Sequence, residues 1–404
     1  MKQFTRYALL ILAPCAIFQP LGMDIFVSVL PGMIDNLGIT EQQIQFLLVS
    51  FVFASSLPQL IMGKLSDLYG RRPLLLLATL GFALTSYLCT IAHDLYWFTM
   101  IRFFHGLSAA TTLVVVYAII RDLYHGEASA KMYSYVTCIL ALTAMFAPLL
   151  GAILSDYFQA WEATFRFLAV FACFALGVVF FVLPETHARQ PKLAQIDVVP
   201  GEHMFKTILT HRVFWTFVMC ATTTMTGLFL YFSIGSIILM KQLGISSYGF
   251  SILFGLNGCT YFLGNYLSTL CLSKFKISQI VLLGNGFVCL GAVAMLVSNY
   301  FLGLSVVSVV CSNLLITLGG GLSVGPATSA ALEPFPNHAG TASGIFGAIQ
   351  YGLPALIGLV VTRFAMTSTL PLAVPILILS LIAFGLLKQF AKRRLEYDRN
   401  CAVI

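Results

Sequence analysis

Twelve stretches of about twenty apolar residues, the length a helix needs to cross the hydrocarbon core of a bilayer, recur along this chain of 404 residues. They fall near Tyr7–Leu30, Ile44–Met62, Leu74–Ala92, Leu95–Ile120, Met132–Leu154, Thr164–Leu183, Val213–Met240, Tyr248–Leu272, Gln279–Ser298, Phe301–Val324, Gly340–Thr362 and Thr369–Leu387. Lipid offers backbone N–H and C=O groups no partners, so such segments fold as helices or close into a barrel, and their length selects helices. The composition agrees, with 59% hydrophobic and 9% charged residues against about a quarter charged in soluble proteins. The expected fold class is an all-α polytopic membrane protein with twelve transmembrane helices.

One long polar connection, PETHARQPKLAQIDVVPGEHMFKTILTHR, interrupts this pattern. It splits the chain into an N-terminal six-helix bundle (residues 1–184), a linker (185–212), a C-terminal six-helix bundle (213–388) and a tail (389–404). Basic residues in short loops stay on the cytoplasmic side. With the N-terminus placed there, 18 of the 22 Lys and Arg residues collect on that face, and Lys241, Arg363 and the borderline Arg166 lie opposite. Both termini and the linker are therefore expected in the cytoplasm, as in an integral multi-pass protein of the inner membrane, with lipid as its surroundings. The formal charge of +7 reflects this topology and not a nucleic-acid partner. The basic start and apolar run at the N-terminus continue past a signal-peptide core without a small-residue cleavage site, so they read as a retained first span. The ten cysteines show no disulfide or zinc spacing and read as small buried hydrophobes.

Two charges fall well inside spans, Asp24 in the first and Arg102 in the fourth. An ionisable side chain at that depth costs several kcal/mol, so each is a functional candidate. Asp24 lies six residues before Leu30, about 9 Å, and Arg102 seven residues after Leu95, about 10 Å, which puts both at the same level. A static ion pair between spans one and four is one expectation. The other is a pair that breaks and reforms as Asp24 exchanges a proton, because burial and a nearby guanidinium act oppositely on a carboxyl group. His105, one turn beyond Arg102 on the same face, joins this network. A histidine there reads first as hydrogen-bonded packing and second as a proton carrier.

The loop between spans two and three reads GKLSDLYGRRP, with Gly63, Leu65, Asp67, Gly70, Arg71 and Arg72 in the pattern G-x-L-x-D-x-x-G-R-R. This resembles the signature of the major facilitator superfamily. Arg102 in RFFHG is similar to the fourth-span motif of that family, with His105 where glutamine is usual. Ala147, Pro148 and Gly151 in APLLGAIL resemble its antiporter motif, with Thr143 at the upstream glycine position. Finer likeness points to the Bcr/CflA group of drug-proton antiporters. Asp24 and Pro31 keep the spacing of that group's D-x-Y-L-P-x-x-P, with Phe26 for tyrosine and Ser28 for the first proline. IIRDLYHGEASAKMYS, LPET (183–186), FGLN (254–257) and AGTASGIFGAIQ (339–350) are similar to its later segments. LSKFKIS, between spans eight and nine, departs from the repeat of the first loop.

The resemblance implies two pseudo-symmetric six-helix bundles around a central cavity, rocking to expose a midplane site to either side. It implies a cytoplasmic latch in which Asp67 approaches the start of span eleven at Pro336–Gly340, with Arg71, Arg72 and Arg121 or Asp122 completing it around Gly63 and Gly70. Pro148 and Gly151 are expected to serve a bend or a seal. The small-residue runs of spans five and eleven are expected to pack helices closely. Substrate-cavity candidates are Phe18, Gln19, Met23, Phe26, Tyr231, Asn257, Tyr261, Asn265, Asn313, Gln350 and Tyr351, where a buried amide in particular needs a partner.

These readings converge on a proton-coupled antiporter that exports small organic molecules by alternating access, with a small-molecule substrate and protons as partners and a monomeric chain. A dedicated exporter of one metabolite, such as a siderophore, sugar or amino-acid derivative, is the first alternative. A non-transporting receptor or scaffold is the second. No nucleophile-base pair, nucleotide loop or metal cluster suggests an enzyme, a metal site or a cofactor.

Overall fold

The structure is a computed structural model that describes residues 2–124, 126–186, 202–335, 339–361, 363–364 and 368–402. Every element among these residues is helical. Spans two to six are Glu41–Tyr69, Arg71–Cys89, Leu95–Leu123, Gly126–Phe158 and Glu162–Val182, and spans eight to twelve are Ser247–Cys271, Ile277–Leu302, Val306–Leu332, Ala339–Val361 and Leu370–Ala402. Polar caps at their ends fix several starts. Thr40 and Gln43 exchange hydrogen bonds of 2.8 and 3.2 Å in a capping box at the head of span two. Asp94 accepts from the Trp97 amide at 3.1 Å at the head of span four.

Span one departs from the single helix expected. It is Lys2–Ala16, Phe18–Asp24, a 3-10 turn Val27–Val29 and Leu30–Leu37. Prolines explain the joints. Pro20 has no N–H for the Ala16 carbonyl, and Pro31 sits in the first turn of a new helix, where a missing N–H costs no hydrogen bond. Span seven continues Arg212–Leu230 through two five-residue π-helical turns, Tyr231–Gly235 and Ile238–Gln242.

Eleven helices among the described residues are long and apolar enough to cross a membrane. The other long helix, Ser247–Cys271, has the length but is diluted by Asn257, Tyr261 and Asn265. The connection expected as a linker contains a helix, Glu202–Thr210, and the last helix runs to Ala402 through the expected tail. The linker's residues 187–201, and Pro336 of the expected latch, lie outside the described residues.

The chain forms two compact units, Met1–Pro200 with Ile245–Gly255, and Gly201–Gly244 with Leu256–Ile404. The first turns of span eight thus belong with the first unit, whereas the sequence assigned them to the second bundle. In the first unit span four packs on spans two and three, span three on span six, and the pieces of span one on spans four and five. In the second, span seven packs on spans ten, eleven and twelve, and span nine on spans ten and twelve. Spans nine and ten meet through small residues: a Cβ on Gly284 would stand 2.6 Å from the Gly319 carbonyl. Large apolar side chains such as Leu77, Leu84, Phe174 and Phe181 are exposed, as on helices bathed in lipid. Cys138, Cys173, Cys259 and Cys311 are likewise exposed, so among the cysteines whose side chains are described only Cys15, Cys89 and Cys220 are the buried hydrophobes expected.

Candidate functional site

Asp24 ends the short piece Phe18–Asp24 and is only 6% exposed. No ion pair joins it to Arg102 among the described residues. Arg102 is fully buried, and its Nη1 donates to the Gly22 carbonyl at 3.0 Å and to His105 Nδ1 at 3.0 Å. Its guanidinium carbon lies 4.3 Å from the ring centre of Phe51, 4.7 Å from that of Phe26 and 5.8 Å from that of Phe165. Its Nε and Nη2 are buried without a hydrogen-bond partner among the described residues.

The matched depth was a sound inference, since Arg102 does reach span one two residues from Asp24. Azimuth undid the pair. A Cβ on Gly22 would face Phe82 at 3.1 Å and His105 at 3.5 Å. Each residue turns a helix by about 100°, so Asp24, two residues on, leaves on nearly the opposite side from the face turned to spans three and four.

His105 does join Arg102, and its Nε2 lies 3.0 Å from Ser86 Oγ. The imidazole lies 4.3 Å from the Phe82 ring, tilted by 34°, and Phe82 stacks on Phe18 at 4.3 Å. Phe18 is therefore committed to packing, and Phe26 to the arginine. Gln19 is buried with its Oε1 unpartnered among the described residues, and Met23 is half-buried.

Of the residues that resemble the antiporter motif, Gly151 meets the same break. Ala147 and Pro148 are buried in span five. A Cβ on Gly151 would overlap the Ile25 carbonyl oxygen and stand 2.7 Å from Ser28 Oγ. Ser28 occupies the 3-10 turn where the resembling group carries proline. Its hydroxyl donates to the Ile25 carbonyl at 3.3 Å, and its own carbonyl accepts from Ser247 Oγ at 2.8 Å.

A second cluster gathers around the loop between spans two and three. Gly70 has φ +99°, a conformation that L side chains rarely adopt, and a Cβ there would stand 2.6 Å from Glu185 Oε2. The turn brings Arg71, 1% exposed, onto Asp67 and Ser66, with its Nε 2.8 Å from Asp122 Oδ2 and its Nη1 3.3 Å from the Gly63 carbonyl. Arg121 is exposed and stands outside this pairing, so Asp122 is the residue of that pair that Arg71 meets. Glu185 was not singled out in the sequence. It accepts from the Arg71 amide at 3.0 Å and the Arg72 amide at 3.3 Å and so caps span three, where the helix dipole favours an anion. Its signal was the acid of LPET. Arg72 turns to the Phe180 carbonyl at 2.7 Å.

In the second unit Asn313 Nδ2 donates to Asn257 Oδ1 at 2.8 Å, both amides being buried, and the hydroxyls of Thr260 and Thr317 meet at 2.6 Å. Tyr231, at the start of the first π-helical turn, is buried in the same unit. Asn265 instead donates to the Tyr261 carbonyl of its own helix at 3.0 Å. Tyr261, Gln350 and Tyr351 are half-buried.

Helices of membrane-crossing length, one of them broken around a buried carboxylate, and a fixed cation in the same unit define a polytopic membrane protein of transporter type. Residues 12–359 match the Major Facilitator Superfamily, and the chain belongs to that family. It is 28% identical over 394 residues to a chloramphenicol resistance protein of Pseudomonas aeruginosa, covering 95% of this chain and 92% of that one. It is 24% identical over 382 residues to a bicyclomycin resistance protein homolog of Haemophilus influenzae, covering 92% of each. Among solved structures, the xylose transporter XylE from E. coli shares the fold with a TM-score of 0.74 at 14% identity, covering 96% of this chain and 98% of that one.

Proposed function

We propose that this chain is an antiporter of the inner membrane that exchanges protons for small organic molecules and exports them from the cytoplasm. The observation that carries the reading is Asp24, a carboxylate buried at the break of a membrane-spanning helix with no ion pair among the described residues. Discontinuous helices at mid-membrane are where transporters hold their coupling ions. The relatives named for chloramphenicol and bicyclomycin resistance support small organic molecules as the cargo. The excess of basic residues in one set of loops supports cytoplasmic termini.

A proton arriving from outside neutralises Asp24 and removes the cost of burying its charge; loss of that proton to the inside restores the cost. The two protonation states therefore favour different conformations, and a substrate that prefers one of them is coupled to the proton. The buried Asn257, Asn313 and Tyr231 cluster offers neutral hydrogen-bonding groups to cargo in the second unit. Asp67, 37% exposed while it holds Arg71, serves the cytoplasmic latch.

Inverted vesicles test the reading. Wild-type protein is expected to release protons when chloramphenicol is added and to accumulate the drug on a pH gradient. Asp24→Asn is expected to keep its fold and lose both. Full gradient-driven efflux by Asp24→Asn overturns it.

A further inference from the structure

We infer that His105 is a positioning residue, a neutral acceptor that fixes the Arg102 guanidinium, and that it does not carry the transported proton. The inference rests on the reading of the chain as a proton-coupled transporter and assigns one residue of that site.

The hydrogen-bond chain has a single direction. A guanidinium has donors and no acceptor, so Arg102 Nη1, 3.0 Å from His105 Nδ1, requires that nitrogen to be unprotonated. The ring's proton then lies on Nε2 and is donated to Ser86 Oγ at 3.0 Å. The Ser86 hydroxyl passes its own hydrogen to the Phe82 carbonyl at 2.6 Å. Every hydrogen from Arg102 to Phe82 is placed. A second proton on the imidazole would set N–H against N–H and bring a second positive charge within hydrogen-bond distance of a buried cation.

The surroundings offer no compensation. On the histidine's own helix Arg102 is the charged group that contacts it, Arg121 and Asp122 lying in the last turn. Span three brings Ser86 and Phe82, with Cys89 beside Arg102; span two brings Phe51 at 5.5 Å, span six Phe165 at 6.3 Å, and span one the Gly22 backbone. Asp24, the buried acid of span one, forms no ion pair with His105. What the position requires is one acceptor toward Arg102 and one donor toward Ser86. A glutamine amide has both, and a leucine of similar bulk has neither.

Gradient-driven efflux by His105→Leu is expected to fall roughly tenfold, the loss of about one buried hydrogen bond to a charged group. His105→Gln is expected to recover most of that loss with the pH profile of the wild type. A His105→Gln protein as impaired as His105→Leu, or with a shifted pH profile, overturns the inference. Nitrogen-15 spectra of the purified protein, with the His105 signals assigned by their absence in His105→Gln, give a readout independent of transport and of whether His105→Leu folds. Nδ1 is expected to stay unprotonated and Nε2 protonated across about pH 5 to 8, where an ordinary histidine titrates. A doubly protonated ring in that range overturns the assignment. Should Asp24→Asn keep full proton-driven efflux while His105 holds this tautomer, the proton-coupling role of Asp24 falls and the role of His105 stands.

Discussion

Gly151 of span five lies against the Ile25 carbonyl of span one so closely that no side chain fits between them. The contact puts Gly151 at the joint beside Asp24. Gly151→Ala is expected to cost about 1–3 kcal/mol by overpacking and to reduce transport, read as a lower melting temperature in detergent and a slower efflux rate. A variant with unchanged melting temperature would show that span one moves aside freely.

Glu185 and the amides of Arg71 and Arg72 form a helix cap from residues far apart in sequence. Glu185→Ala is expected to lower stability by about 0.5–2 kcal/mol, with Glu185→Gln intermediate because one amide oxygen still accepts. Thermal unfolding of the three proteins side by side checks the order.

Arg71 divides its charge between Asp122, 16% exposed, and Asp67, 37% exposed. Removing a buried partner from an ion pair costs roughly 3–5 kcal/mol, and a solvent-screened one about 0–1 kcal/mol. Asp122→Ala is therefore expected to destabilise more than Asp67→Ala, and a double-mutant cycle on Arg71 should return the larger coupling for Asp122. Equal couplings would contradict the burial argument.

Asn257 and Asn313 satisfy one another inside the second unit. Asn313→Leu leaves the Asn257 carbonyl without that donor and is expected to cost about 1–3 kcal/mol, whereas replacing both by leucine recovers part of the loss. Melting temperatures of the two singles and the double test this. Drug binding by the double variant, followed by tryptophan fluorescence, reports whether the amides also serve cargo.

Hydropathy made the helices legible because a bilayer imposes one length on every span, and the loop glycines, Asp67 and Arg71 were readable because a tight turn beside charge has few other uses. Depth along a helix was also readable, which is why Arg102 does reach the level of Asp24. Direction around the helix was not: the joints at Ile17 and Ile25 and the π-helical turns at Tyr231 and Ile238 rephase the faces, and no residue count anticipates that. Glu185 escaped because its partners are 114 and 113 residues away and belong to the backbone, which carries no sequence signal. The aromatic seat of Arg102 escaped because 34 phenylalanines make any three of them anonymous.

The broken first span also bears on the thickness of the membrane. A continuous helix that moves a mid-membrane carboxylate must tilt as a whole, and tilting changes the hydrophobic length it presents to lipid. Phe18–Asp24 is seven residues, about 10 Å of rigid rod with a joint at each end. Under the proposed proton exchange at Asp24, such a link would let the carboxylate shift while Lys2–Ala16 and Leu30–Leu37 keep their depths, without the bilayer having to yield.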